Sequence, residues 1–240
     1  MNVILIPGFW LNDDSWSEIA DSLRAAGHTV HPVTLPGMQS VETDRSGITL
    51  RDHIDAVIAL VDSLSPGDVE AGVVLVGHSG GGAVVHGVVD ARPAAIARVI
   101  YVDSLPLGDG DVINDELPVV DDEIPLPDWS VFEEADLTDL DDALRAQFRD
   151  IAIPTPVRVA TDKQVLTDPR RYDVPVTAIT CEFPSSMIRE LLEAGHPYVA
   201  ELGRITTVEL VDLPTGHWPQ LTKPKELASV MIDVLRRATV

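Results

Sequence analysis

Along this chain, short unbroken runs of apolar residues alternate with longer stretches in which apolar positions recur every three or four residues. The runs at 3–6, 29–35, 73–76, 98–102, 174–181 and 206–214 are rich in Val, Ile, Leu and Thr and keep no consistently polar side, the pattern of strands covered on both faces. Between them, Leu50, Ile54, Val57, Ile58, Val61 and Leu64 form a helical stripe that should stop before Pro66 and Gly67, and Val84, Val85, Val88 and Val89 form another. Ser15, with Glu18 three residues on, is spaced as a capping box for a helix that should end near Gly27. A last helix is predicted over 225–237, with Pro224 in its first turn. Alternating strands and helices predict an α/β fold: a mainly parallel central sheet of about six strands with helices on both faces.

The alternation fails in one place. Between Asp109 and Asp142 there are fourteen acidic residues and no Lys or Arg, with Pro118, Pro125 and Pro127 among them. Regular patterning returns only near Val174, too late for a plain connection in a compact domain. Residues 105–173 are therefore expected to form a lid insertion, or a partly disordered excursion, on a single domain spanning 1–240. Within it, Leu137, Leu140, Leu144 and Phe148 are spaced for one short amphipathic helix.

Composition narrows the function classes. With 45% apolar and 23% charged residues, the chain is of ordinary globular type. A formal net charge of −22 disfavours nucleic acid and anionic membrane surfaces, which are bound by neutralising phosphates with Lys and Arg. Cys181 is the only cysteine, so no internal disulfide and no cysteine-based zinc site is expected. The opening "MNVILIPGFW" has no basic region ahead of its short apolar run, and no stretch approaches the length needed to span a bilayer, so a cytoplasmic protein is expected.

The stretch "VVLVGHSGGGAVVHGVV", 73–89, carries the candidate chemistry. A buried strand runs straight into a helix through Gly77-His78-Ser79-Gly80-Gly81, a match to G-x-S-x-G in the strand–turn–helix context that motif requires. Side chains two residues either side of the serine would collide in so sharp a turn, hence Gly77 and Gly81. Ser79 should then project at the carboxyl end of its strand, over the N-terminus of the next helix, where negative charge is favoured. A serine needs a base to act as a nucleophile. Of the seven histidines, His28, His31, His53 and His86 lie in or beside predicted elements, His78 should shape the turn, and His196 should end a helix. His217, in "VDLPTGHWPQL", follows the last strand, with Gly216 leaving the backbone free to approach another loop; loops after parallel strands gather on the face that carries Ser79.

On "IPGFW", "VGHSGG" and the late "PTGHWPQLTKPKELASVMIDVL", the chain resembles the α/β-hydrolase superfamily over nearly its whole length, most closely small esterases with an insertion before the last two strands. The resemblance implies acyl transfer without a cofactor or metal, acting on a small carboxylic ester or lactone: Ser79 attacks, His217 moves the proton, and the backbone N–H groups of Phe9 and Gly80 form the oxyanion hole. Where many relatives have His-Gly-X after the first strand, this chain has Pro7-Gly8-Phe9. Most relatives also carry Gly-x-x-Asp where this chain has Cys181-Glu182-Phe183-Pro184. Two carboxylates can complete the triad instead: Asp103, at the end of the preceding strand in "YVDSLP", or Glu182; Asp212 sits too near the start of its loop. Phe9, Trp10 and Trp218 are candidates for the pocket wall. A homodimer is compatible with the sequence. Relatives of the same fold that act as hydroxynitrile lyases or cofactor-free oxygenases, or that only bind a ligand, define the alternative readings.

Overall fold

The computed structural model describes residues 1–64 and 72–237. Six strands form one parallel sheet: β1 Asn2–Ile6, β2 Thr29–Pro32, β3 Val73–His78, β4 Ile96–Val102, β7 Val176–Thr180 and β8 Val208–Asp212, in the order β2-β1-β3-β4-β7-β8. The chain reverses direction across the sheet between β1 and β3, so the loops leaving those two strands diverge and open a crevice at their carboxyl ends. Two further strands, β5 Glu123–Ile124 and β6 Thr155–Pro156, pair antiparallel outside the sheet. The helices are α1 Ser17–Ala25, α2 Leu50–Leu64, α3 Gly81–Ala91, α4 Asp142–Ile151, α5 Val157–Thr161, α6 Ser185–Glu193, α7 Pro219–Thr222 and α8 Pro224–Arg237. The Pro66-Gly67 stop expected after α2 lies outside the described residues.

The unbroken apolar runs follow from burial on both sides. Ile4, Ile6, Leu75, Val99 and Tyr101 point into a core shared with α2 and α3, while Val3, Leu5, Val74, Val76, Ile100 and Val102 point into one shared with α1 and α8. Val3 to Ile6 and Val73 to Val76 have no exposed surface, and each such side chain contributes about 1.5–3 kcal/mol of transfer free energy. A third apolar cluster joins Phe9, Trp10, Leu11 and Trp218 to Ile124, Leu140, Phe148 and Val159. It holds the inserted segment down on the loops that follow β1 and β8.

Several local expectations need correction. Ser15 does not cap a helix: its hydroxyl donates to the Asn12 carbonyl at 2.7 Å, and Asn12 caps a 3-10 turn over Asp13–Trp16 from which α1 grows. The run at 29–35 pairs only as far as Pro32, opposite Leu5 at the sheet edge, with a last bond from the Val33 N–H to the Leu5 carbonyl at 3.0 Å. The amphipathic helix of the insertion starts later than its leucine spacing suggests. Asp141 accepts the Leu144 N–H at 2.9 Å and so fixes the start of α4 at Asp142, leaving Leu137 and Leu140 in the preceding turns. Within the insertion, β5, β6, α4 and α5 are formed.

Candidate active site

Three non-glycine residues with positive φ sit at strand ends around the crevice: Trp10 (65°), Ser79 (51°) and Asp103 (43°). Strained backbone of this kind persists only where surrounding contacts enforce it. At Ser79 the enforcement is close packing. A Cβ on Gly77 would lie 2.7 Å from the Gly81 carbonyl oxygen, and one on Gly81 would lie 2.5 Å from that of Pro7, so neither position admits a side chain. The corner is pinned from both directions: Ser79 N–H donates to the Val102 carbonyl at 3.2 Å, and the Ser104 hydroxyl donates to the Ser79 carbonyl at 2.8 Å. Ser104 was not singled out from sequence; a hydroxyl directly after the Asp103 strand end carries no pattern of its own.

His217 reaches this corner from the loop after β8. Its Nε2 lies 2.7 Å from Ser79 Oγ and its Nδ1 lies 2.7 Å from Asp103 Oδ2, so one imidazole bridges hydroxyl and carboxylate. The ring is carried by backbone that the insertion grips: the N–H groups of Gly216 and His217 donate to the carbonyls of Thr138 (2.9 Å) and Asp136 (2.8 Å). A Cβ on Gly216 would collide with both of those carbonyls, which is why the loop needs glycine there. His78, fully buried, donates from Nε2 to the His217 carbonyl at 2.6 Å. Burial, and then the neighbouring charge of His217, push its pKa down to about 3, so it serves as a neutral strut.

Both carboxylates considered for the third position converge on the same nitrogen. Glu182 Oε1 lies 2.5 Å from His217 Nδ1, beside Asp103. Asp103 also accepts the N–H groups of Cys181 (2.8 Å) and Glu182 (3.3 Å) on Oδ1. Burial alone would raise the pKa of Asp103, but its bond to His217 and these donors outweigh burial and hold it near 2. Burial, with the adjacent Asp103 charge, raises Glu182 to about 8. For His217, burial favours the neutral ring, but the two carboxyls more than offset it and shift its pKa upward. Asp212 is elsewhere, accepting the Ser185 N–H and hydroxyl at 2.6 and 2.7 Å at the start of α6.

Phe9 and Gly80 line the cavity over Ser79, their N–H groups have no acceptor among the described residues, and the Phe9 ring lies flush on Gly80, where a Cβ would come within 2.7 Å of it. Trp10 is clamped at all three of its polar groups by the insertion: its N–H donates to Thr155 Oγ1 (3.1 Å), its indole N–H to the Ile124 carbonyl (3.0 Å), and its carbonyl accepts the Ile153 N–H (2.9 Å). A cavity of about 970 Å³ opens over Ser79, walled by Phe9, Trp10, Phe132, Ile113 and Leu117. Trp218 does not join that wall. It is 1% exposed and turned away from the cavity, packed on Phe148 with ring centroids 5.1 Å apart, because α7 begins at the next residue and carries it under the insertion.

The fold and the strained serine corner place the molecule in the α/β-hydrolase class, and residues 3–230 match the model of the alpha/beta hydrolase family, so the chain belongs to that family. A carbendazim-hydrolyzing esterase of Nocardioides sp. (strain SG-4G) is 33% identical over 118 residues, 49% of this chain and 47% of that protein. The chain thus spans about half the length of this relative. Among solved structures, an extracellular alpha/beta-hydrolase from a Paenibacillus species superimposes with a TM-score of 0.76 at 22% identity, covering 97% of this chain and 98% of that one. A methylesterase from Arabidopsis superimposes with a TM-score of 0.71 at 18% identity, covering 98% and 99%. No helix among the described residues is long and apolar enough to cross a membrane.

Proposed function

We propose that this protein is a serine hydrolase of small carboxylic esters, lactones included as cyclic esters. The observation that carries the reading is the single imidazole 2.7 Å from both Ser79 Oγ and Asp103 Oδ2, at a corner where Ser79 is held with φ of 51°. In this reading His217 Nε2 takes the Ser79 proton as Oγ adds to the ester carbonyl, and the N–H groups of Phe9 and Gly80 receive the oxyanion. Collapse of the tetrahedral adduct expels the alcohol, which takes the proton back from His217. Water, deprotonated by the same imidazole, then cleaves the acyl-enzyme to the free acid and restores Ser79. Asp103 keeps the ring oriented with its proton on Nδ1 and stabilises the imidazolium as it forms.

The relatives' names, esterase and methylesterase, put methyl esters first among the substrates to try. The aromatic wall formed by Phe9, Trp10 and Phe132 favours an aryl or alkyl acyl group, and the exposed Asp109 and Asp111 among its lining residues disfavour an anionic one. The carbonyl carbon would lie over Ser79, with the acyl group under the insertion acting as a lid. The cell interior is its proposed location. The test pairs wild type with Ser79→Ala, assaying aryl and methyl esters of graded acyl length and labelling with a serine-reactive fluorophosphonate. Turnover and labelling should vanish together in the variant. A folded wild type that neither labels nor turns over any ester or lactone would overturn the reading in favour of a lyase, an oxygenase or a binding protein.

A further inference from the structure

The two carboxyls at His217 are unequal, and the inequality assigns a proton. An imidazole has one Nδ1–H, yet Asp103 Oδ2 and Glu182 Oε1 lie 2.7 and 2.5 Å from that nitrogen. Asp103 is equipped to be the anion: besides Nδ1–H it receives two backbone N–H bonds, from Cys181 and Glu182. The Glu182 carboxyl, side chain 11% exposed, receives no donor other than Nδ1 among the described residues, and it lies within hydrogen-bond reach of Asp103. A buried carboxylate with no donors of its own is costly, and beside a second carboxylate it is costlier.

We propose that Glu182 is a positioning residue that stands as a neutral carboxylic acid at neutral pH, donating its O–H to the Asp103 carboxylate. The proposal rests on the serine-hydrolase reading of this site and adds a fourth member to it. Its consequence is electrostatic. With both carboxyls ionised, His217 would be held as an imidazolium between two anions and could not accept the Ser79 proton. With the proton kept on Glu182, one anion faces Nδ1 and Nε2 is left free as the base. The other groups around Glu182 are consistent with this assignment. Burial raises both the Tyr198 phenol and the adjacent Cys181 thiol, so each stays neutral beside the carboxyls and neither can offer a cation to Glu182. Lys223, the residue after α7, is committed to the Pro214 carbonyl at 2.6 Å and Asp139 at 3.2 Å.

The assignment is read directly by infrared difference spectroscopy on the full chain, wild type against Glu182→Gln. The C=O stretch of a protonated carboxylic acid should be present in wild type at pH 7, disappear as pH rises through about 8, and be missing in the variant. A wild-type spectrum with no such band, or one in which the band survives in Glu182→Gln, overturns the proposal. This readout does not depend on ester turnover, so it separates a failure here from a failure of the hydrolase reading. Where turnover is measurable, the acid limbs of kcat/KM in wild type and Glu182→Gln should coincide, because Gln mimics the neutral acid. A downward shift of a full pH unit or more in the variant would mean that Glu182 is ionised in wild type, and would also overturn the proposal.

Discussion

The six-stranded sheet and the segment inserted between β4 and β7 are built from opposite kinds of sequence. Strand residues such as Leu75 and Ile100 have no exposed surface and are covered from both sides, so nearly any polar replacement there would strand an unpaired group. The insertion is dominated by Asp and Glu, and it owes its order to a few apolar anchors, Ile124, Leu140, Phe148 and Val159, set against Trp10 and Trp218. Its few cations act as ties: Arg149 donates within the insertion to the Pro127 carbonyl at 2.9 Å and lies 5.1 Å over the Trp129 ring, and Arg171 reaches out of it to Glu201 at 2.8 Å. One region holds the reacting groups, the other holds the loops that carry them. Trp10 and His217 belong to both, since the backbone of each is bonded to the insertion while its position in the chain is fixed by a sheet strand.

The sharpest way to separate the two roles is to remove the hydroxyl. Ser79→Ala should lower kcat by on the order of 10⁵–10⁶-fold, with far-UV circular dichroism and the urea midpoint unchanged, since chemistry is assigned wholly to the sheet side. A matched pair of truncations comes next. Ile100→Ala should lower global stability by about 3 kcal/mol in one cooperative transition, whereas Phe148→Ala, similar in cost, should open the insertion first and be seen earlier in Trp129 and Trp218 fluorescence than in the far-UV signal. Coincident transitions in Phe148→Ala would mean that the insertion and the sheet are one cooperative unit.

Phe132→Ala removes a side chain of the insertion from the cavity wall and leaves Ser79 and His217 in place. It should reduce kcat/KM by about 10- to 100-fold for long-chain or aryl acyl groups and much less for acetyl esters. An effect confined to acid pH, and absent at neutral pH, is expected from His53, buried at 2% exposure with Nε2 donating to the Pro36 carbonyl at 2.8 Å. Burial lowers its pKa to about 4, so the unfolded chain takes up a proton near pH 6.5 that the native state refuses until about 4. Stability contributed by the neutral ring is therefore lost as pH falls across that window. His53→Gln should flatten the pH dependence of the urea midpoint there by about one proton, roughly 1.4 kcal/mol per pH unit at most.

The parts of the fold legible in sequence are those governed by a repeating rule. The unbroken apolar runs announced strands covered on both faces, and the glycines around Ser79 announced a turn with no room for a Cβ, as the contacts at Gly77 and Gly81 bear out. Single-residue choices were harder to read. Asn12, not Ser15, starts the first helical turn, because the chain enters it three residues earlier than the capping pattern implies. Trp218 looked like pocket wall from its place beside His217, yet consecutive residues in a turning loop point in different directions.

What the sequence determined by itself was the order of elements, the strained serine corner and the late loop histidine, because each depends on residues close together in the chain. Only the tertiary structure decided that both carboxyls meet His217, and on unequal terms. Asp103 lies 114 positions from His217 and 78 from Cys181 in the chain, and neither it nor Glu182 carries a local signal of rank; the groups meet because β4, β7 and β8 are neighbours and end at the same level of the sheet. The difference between them arises from backbone donors that the loop after β7 aims at Asp103 and not at Glu182. An acid's role at a site follows from the donors and charges around it, and those are assembled by the fold.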